Sequence, residues 1–256
     1  MLETDEIVRM LRAAGCVFAE EEAALIEQAA TTPAELSRMV ALRVEGLPLE
    51  QVVGWAELGG IRHLVEPGVF VPRRRTEFLV QLAVAGGGRV VLDLCCGTGA
   101  VGAAVAAGLD GIERSAVELH AADIDPAAVA VARKNVDGAV YQGDLYEPLP
   151  ASLRGRVDIL VFVAPYVPTD EIELLPREAR LHEPHFTLDG GPDGLDLVRR
   201  VAAGAAEWLA PGGRVLTEVS EEQAPVVAAL FEAAGLRPEI LEDDELYATV
   251  VRGTLR

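Results

Sequence analysis

Val90-Val91-Leu92-Asp93-Leu94-Cys95-Cys96-Gly97-Thr98-Gly99 and, further along, Ala121-Ala122-Asp123-Ile124-Asp125 decide the fold. The first stretch is an apolar run that ends at an acid and enters a tight glycine turn. The second is another apolar run closed by an acid. Between them, residues 100–107 carry alanine and valine at helical spacing. Strand, turn, helix and strand in that order hold a nucleoside at the carboxyl edge of a parallel sheet.

Gly97-Thr98-Gly99-Ala100-Val101-Gly102 matches G-x-G-x-x-G. Alone, the match is weak, because a strand-to-helix turn without a ligand has the same composition. Glycines let the backbone approach a ligand, and a helix start offers free N–H groups. Asp93 shifts the reading. A carboxylate beside the glycines repels the phosphates of a dinucleotide such as NAD. S-adenosylmethionine has no phosphate; it carries an ammonium group and a sulfonium, and an acid at the strand end suits its cationic amino-acid moiety. Asp123 is placed for the ribose hydroxyls. Asp144, in Gly143-Asp144-Leu145, is placed for the exocyclic amine of adenine, with Leu145 lining the ring. Thr98 and Ile124 belong to the same two loops. Asp125, just ahead of Pro126, reads as the N-cap of the following helix.

Outward from this core, residues 1–50 read as a small helical bundle. One helix runs over 4–14 with Thr4 as its cap, and another over 20–30. A third opens at Thr32-Pro33-Ala34-Glu35, where the glutamate can reach back over the first turn. Residues 51–75 change character. Val52-Val53, 61–64 and 69–71 are short β-like runs set apart by Gly59-Gly60 and Pro67-Gly68, a linker with a β-hairpin. A helix over 76–85 leads into alternating strands (90–94, 118–123, 139–142, 159–163, 214–219) and helices (126–136, 194–209, 224–234). The chain closes on 239–242 and 247–252, an antiparallel pair at the sheet edge. The alternation is that of an α/β protein with helices on both faces of a mainly parallel sheet.

Composition narrows the partners. Lys and Arg number 22 against 41 Asp and Glu, a net charge of −19. Most of such a surface repels a phosphate backbone, which argues against nucleic acid. The one basic run, Arg73-Arg74-Arg75, reads as a solvated turn with one or two ion pairs. No apolar run approaches ~20 residues, so no membrane span is expected. The acidic start lacks the order of a signal peptide, so the cytoplasm is the expected location. Cys16, Cys95 and Cys96 read as reduced and buried. His182 and His185 flank Glu183-Pro184 with no further ligand cluster, so no metal site is expected.

Other motifs lie outside the nucleoside unit. They are Arg43, Gly46-Leu47-Pro48-Leu49 and Gly54; Val69-Phe70-Val71-Pro72-Arg73 with Thr76-Glu77; Glu183-Pro184; Leu188-Asp189-Gly190-Gly191-Pro192-Asp193-Gly194-Leu195; and Glu218 with Gln223. In this order they resemble the HemK/PrmC family of protein-(glutamine-N5) methyltransferases, which modify peptide release factors. The resemblance implies a Rossmann-like, seven-stranded class I methyltransferase domain over 76–256. It implies a helical substrate-binding domain over 1–50 and a β-hairpin linker over 51–75. It also implies S-adenosylmethionine as cofactor. Asp93-x-Cys95-x-Gly97-x-Gly99 is similar to the class I nucleotide loop, with Cys95 where glycine is usual. Pro72 and Arg73 join the cofactor residues on the same ground.

The family signature is Asn-Pro-Pro-Tyr after the fourth strand. Here it reads Val163-Ala164-Pro165-Tyr166, the residues that flank the methyl acceptor. The family's asparagine oxygen and a neighbouring carbonyl hold the hydrogens of an amide whose nitrogen is a poor nucleophile. Valine completes the apolar strand but accepts no hydrogen bond. Three readings stay open. The enzyme still methylates a protein glutamine, more slowly; it methylates a small molecule at nitrogen or oxygen; or it binds the cofactor without catalysis.

Overall fold

The computed structural model describes residues 2–113 and 116–256. Four helices come first: α1 (Thr4–Ala13), α2 (Ala19–Ala29), α3 (Pro33–Val44) and α4 (Leu49–Val53). They enclose a core of their own around Ile7, Leu11, Ala23, Ile26, Met39 and Val40. Thr4 is not the cap of α1. Glu3 holds that position without a side-chain bond, and the Thr4 hydroxyl donates to Glu27 instead. In α3, Thr32 Oγ1 accepts from the N–H of Glu35 at 3.1 Å. The Glu35 carboxylate reaches back further than expected, to the N–H and hydroxyl of Thr31 at 2.9 and 2.6 Å.

The hairpin is β1 (Trp55–Leu58) with β2 (Ile61–Leu64). Gly59 and Gly60 turn it with φ of +64° and +72°, the pair of positive values a tight two-residue hairpin turn requires. Val52-Val53, read as β-like, ends α4 instead, stopped by Gly54 in the left-handed region at φ +83°. Residues 69–71 join no ladder; Val71 donates its N–H to Glu183.

After α5 (Glu77–Ala85) come β3 (Val90–Leu94), α6 (Ala100–Glu113), β4 (Glu118–Asp123), α7 (Pro126–Asn135), β5 (Ala139–Gln142) and β6 (Val157–Phe162). The short α8 (Arg177–His182), which the sequence pattern did not announce, precedes α9 (Asp196–Trp208) and β7 (Leu209–Val219). Then α10 (Ala224–Ala233), β8 (Leu236–Asp243) and β9 (Ala248–Leu255) complete the chain. The seven strands of the main sheet lie in the order β5-β4-β3-β6-β7-β9-β8. The first five are parallel, and β9 runs antiparallel to both its neighbours. The α/β sheet read from the alternation is therefore present, with its antiparallel closing pair.

Successive side chains of a strand point to opposite faces. Leu92, Leu94, Leu160 and Phe162 pack with Val198, Ala205, Val227 and Phe231 of α9 and α10. Val91, Ile159 and Val161 pack with Leu79, Ala83, Val105 and Ala132 of α5, α6 and α7. Burial on both faces explains why these strands read as continuous apolar runs. The chain leaves β3 for β4 on one side and returns to β6 on the other. The carboxyl ends of β3, β4 and β6 thus meet at a topological switch point, where α/β sheets bind ligands. No helix among the described residues is long and apolar enough to cross a membrane.

Asp125 accepts from the N–H groups of Ala127 and Ala128 at 3.0 and 3.3 Å, capping α7 ahead of Pro126. Asp125→Ala is expected to lower stability by about 1 kcal/mol, and Asp125→Ser to restore most of it. Urea unfolding midpoints of the two variants check this.

Candidate active site

A cleft of about 650 Å³ opens at the switch point. One half is built on β3 and β4. Asp93 is fully buried, and its Oδ2 accepts the N–H of Gly102, in the first turn of α6, at 2.8 Å. That N–H is one of the donors a helix start leaves unpaired. Asp123 does the same for the glycine turn. Its Oδ2 accepts from Gly97 at 2.8 Å and its Oδ1 from Asp125 at 2.9 Å. Two N–H groups of the glycine turn and the helix start are thus occupied by carboxylates, and both carboxylates line the cleft.

Burial disfavours charge on each. Asp93 is pushed up to about 7, chiefly by desolvation, against the bond from Gly102 and with Asp123 nearby adding to the rise. Burial also raises Asp123, opposed by its bonds from Asp125 and Gly97. The Cys95 and Cys96 thiols are raised by the same burial and stay neutral.

The backbone is strained here. Cys95 has φ +53° and Leu145 φ +49°, left-handed values that cost a non-glycine residue of order 1–3 kcal/mol. A glycine at position 95 would adopt this conformation without that cost. Both residues line the cleft, as do Gly97, Thr98, Ile124 and Asp144. Asp144 is held by Arg200 at 2.7 Å. Gly99 is the exception among the loop residues. It does not line the cleft; a Cβ there would meet Val136 Cγ2 at 2.6 Å, so it lets α7 pack against the turn.

The other half is built on the end of β6. Val163, Ala164, Pro165 and Tyr166 all line the cleft, as do Pro72 and Arg73. The 188–195 loop grips this segment. Gly190 donates its N–H to Val167 O at 2.9 Å, and a Cβ on Gly190 would lie 2.6 Å from Pro165 O. A Cβ on Gly194 would lie 2.1 Å from Tyr166 O. Gln223 Nε2 donates to Tyr166 O at 2.8 Å. The carbonyls of Tyr166 and Val167 are therefore engaged, and that of Pro165 is packed on glycine. Ala164 O accepts no hydrogen bond from the described residues.

The basic run forms a turn with Arg74 and Arg75 exposed and two ion pairs, as its reading expected. Arg73 pairs with Glu183 at 2.5 Å and Arg75 with Glu218 at 2.6 Å, and both carboxylates are buried. Burial raises the Glu183 carboxyl, while Arg73 opposes the rise. Thr76 donates to the other Glu218 oxygen at 2.8 Å. Arg75 also lies 5.4 Å from the centre of the Tyr166 ring. Arg75, Thr76, Glu178 and Arg200 line the cleft without having been singled out as binding residues. Their partners lie 56 to 143 positions away along the chain, which local pattern does not reveal.

The Methyltransferase small domain family matches residues 61–173. A release factor glutamine methyltransferase of Geobacter sulfurreducens is 36% identical, over 77% of this chain and 69% of its own length. One from Cereibacter sphaeroides is 39% identical, over 82% of this chain and 75% of its own. The chain belongs to the release factor glutamine methyltransferase family. A methyltransferase structure from Pyrococcus furiosus shares the fold with a TM-score of 0.55 and 15% identity, covering 76% of this chain and 89% of that one. The seven-stranded sheet with flanking helices is thus a fold that this methyltransferase structure shares.

The raised Asp93 carboxyl has a consequence for stability. In the folded protein it keeps its proton to about 7, whereas the unfolded chain releases it near 4. Between those values the folded state binds the extra proton, so stability of the ligand-free protein falls as pH rises. Asp93→Asn is expected to flatten that slope by up to one proton, read from urea unfolding between pH 4 and 7.5. An unchanged slope would mean that Asp93 is ionised throughout.

Proposed function

We propose that the protein binds S-adenosylmethionine and transfers its methyl group to the side-chain amide nitrogen of a glutamine in a protein acceptor of the release-factor kind. The observation that carries this reading is that one cleft holds both ends of the reaction. At one end, carboxylates occupy two N–H groups of the glycine turn and helix start, where a phosphate would be repelled; at the other lies the 163–166 segment. Bound there, the cofactor supplies a methyl group on a cationic sulfur.

The protein's part is binding and alignment. Asp93, when ionised, faces the cationic amino-acid moiety. Asp123 keeps lone pairs for the ribose hydroxyls beyond those taken by Gly97 and Asp125. Asp144, fixed by Arg200, and Leu145 frame the adenine, with Cys95, Thr98, Ile124, Pro72 and Arg73 completing the wall. The cytoplasm suits this chemistry, since the three cysteines are free thiols.

At the acceptor end, transfer to an amide depends on orienting a nitrogen whose lone pair is delocalised. Ala164 O is free to accept one amide hydrogen. Tyr166, steadied by Arg75 and the 188–195 loop, offers a flat wall. Val163 accepts nothing, so one amide hydrogen lacks a partner that an asparagine supplies. An unmade bond of this kind costs about 1–3 kcal/mol, a rate loss of about 5- to 150-fold. Val163 is also the specific observation favouring a second reading, a small-molecule amine or hydroxyl that one acceptor suffices to hold.

Incubation with methyl-labelled S-adenosylmethionine and a release factor tests the proposal. Label is expected on a glutamine, with Val163→Asn raising the rate by 5- to 150-fold. Label appearing only in small molecules of a cell extract supports the second reading. Cofactor binding with no transfer to either class of acceptor means that the chain has lost catalysis.

A further inference from the structure

Asp93, Asp123 and Asp144 all line the cofactor end of the cleft, but they are fixed in two different ways. Asp93 and Asp123 accept backbone N–H groups, the first from Gly102 and the second from Gly97 and Asp125. Asp144 accepts no backbone N–H from the described residues. Its one partner is a side chain: Oδ2 accepts from Arg200 Nη2 at 2.7 Å. Its Oδ1 accepts nothing from the described residues.

Arg200 has no other bonded partner among the described residues. It lies within α9 and lines the same cleft. The neighbouring Arg199 is taken by Asp193 and Asp196 instead.

Helix and loop are fastened together beside this pair. The Tyr146 hydroxyl donates to Val201 O, the residue after Arg200, at 2.8 Å. The Tyr146 ring stacks on Trp208 of α9 with 5.5 Å between centres. It also fills the space over Gly204, where a Cβ would meet Tyr146 Cε2 at 2.6 Å. Leu145 and Leu197 extend the same packing. The 143–146 loop thus sits in one register on α9, and that register brings Arg200 to Asp144.

The two side chains are 51% and 33% exposed, so the pair adds little to stability. Its effect is on orientation. A loop aspartate without a partner samples several staggered rotamers. Bonded to an arginine on a fixed helix, Asp144 keeps one oxygen at the guanidinium and leaves the other for a donor on the ligand. A carboxylate only accepts hydrogen bonds. It therefore binds an amine on a purine and repels a carbonyl at the same place.

We propose that Arg200 is a positioning residue that sets base specificity: by holding Asp144, it makes the cleft select a 6-amino purine over a 6-oxo purine on the cofactor. This rests on the cofactor placement in the reading above.

Calorimetric titration with S-adenosylhomocysteine and with S-inosylhomocysteine, which carries a carbonyl in place of the exocyclic amine, tests the proposal. The wild-type protein is expected to bind the adenosyl compound at least about 10-fold more tightly, because a bond to a charged group is exchanged for a repulsion. Asp144→Ala should bring the ratio to within about 2-fold. Arg200→Gln should lower the ratio at least about 3-fold, and Arg200→Lys should keep it closer to the wild-type value. In an Asp144→Ala background, Arg200→Gln should change the ratio by less than about 2-fold, since its effect passes through that carboxylate.

A wild-type protein without preference overturns the assignment while leaving the cofactor reading in place. So does an Arg200→Gln protein that keeps the wild-type ratio, including one in which both compounds are weakened equally, the mark of a merely structural role. Binding of neither compound by the wild-type protein overturns the assignment and the cofactor reading together.

Discussion

Two carboxylates bonded to backbone N–H groups set the terms for everything built at the sheet edge. Asp93 closes the first turn of α6 through Gly102, and Asp123 closes the glycine turn through Gly97. These bonds tie the carboxyl ends of β3 and β4 to the start of the helix between them. They also reverse the sign of a position that in a dinucleotide-binding turn is electropositive. The turn is held tightly enough to keep Cys95 in a left-handed conformation that disfavours any residue but glycine. A buried acid raised to about 7 is costly to ionise alone and is stabilised in its charged form by a cationic ligand.

The acceptor end rests on a different device, arginine–glutamate pairs between segments far apart in sequence. Arg73 to Glu183, Arg75 to Glu218 and Arg43 to Glu22 join the residues around the hairpin, the wall after β6, the end of β7 and the first helices. Removing the arginine from such a pair leaves a buried carboxylate without compensation, while the partial exposure of Arg73 and Arg75 weakens the pairing through solvent. The pairs therefore fix the cleft wall more than they add to net stability. The 163–167 segment is held differently again, by backbone bonds from Gly190 and Gln223 and by glycines at 190 and 194 where a Cβ would collide.

Much of this was legible in the residues. The strands flanking the nucleoside loop stood out because burial on both faces makes them continuous apolar runs, and Asp125-Pro126 marked the α7 cap. Asp93 and Asp123 were legible as acids in the wrong place for phosphate. Their actual partners were not, because the N–H groups they occupy depend on how α6 and the turn sit in space. Val52-Val53 misled because two β-branched residues favour strands locally, while Gly54 and packing on the helical core make them end a helix. Thr4 misled because a good capping side chain found a better partner in Glu27. For Gly99 the residues gave no sign that its missing Cβ also makes room for Val136. The arginine run was legible as a turn with ion pairs, but its carboxylate partners were not, because they lie more than a hundred residues away.

The account stands on the claim that the loop after β3 takes a cationic, phosphate-free nucleoside. Calorimetric titration of the purified protein with S-adenosylmethionine, S-adenosylhomocysteine and NAD tests it most directly. The expected result is saturable binding of both adenosyl compounds, weakened strongly by Asp123→Ala, and no heat with NAD. Tight NAD binding together with indifference to both adenosyl compounds would contradict it.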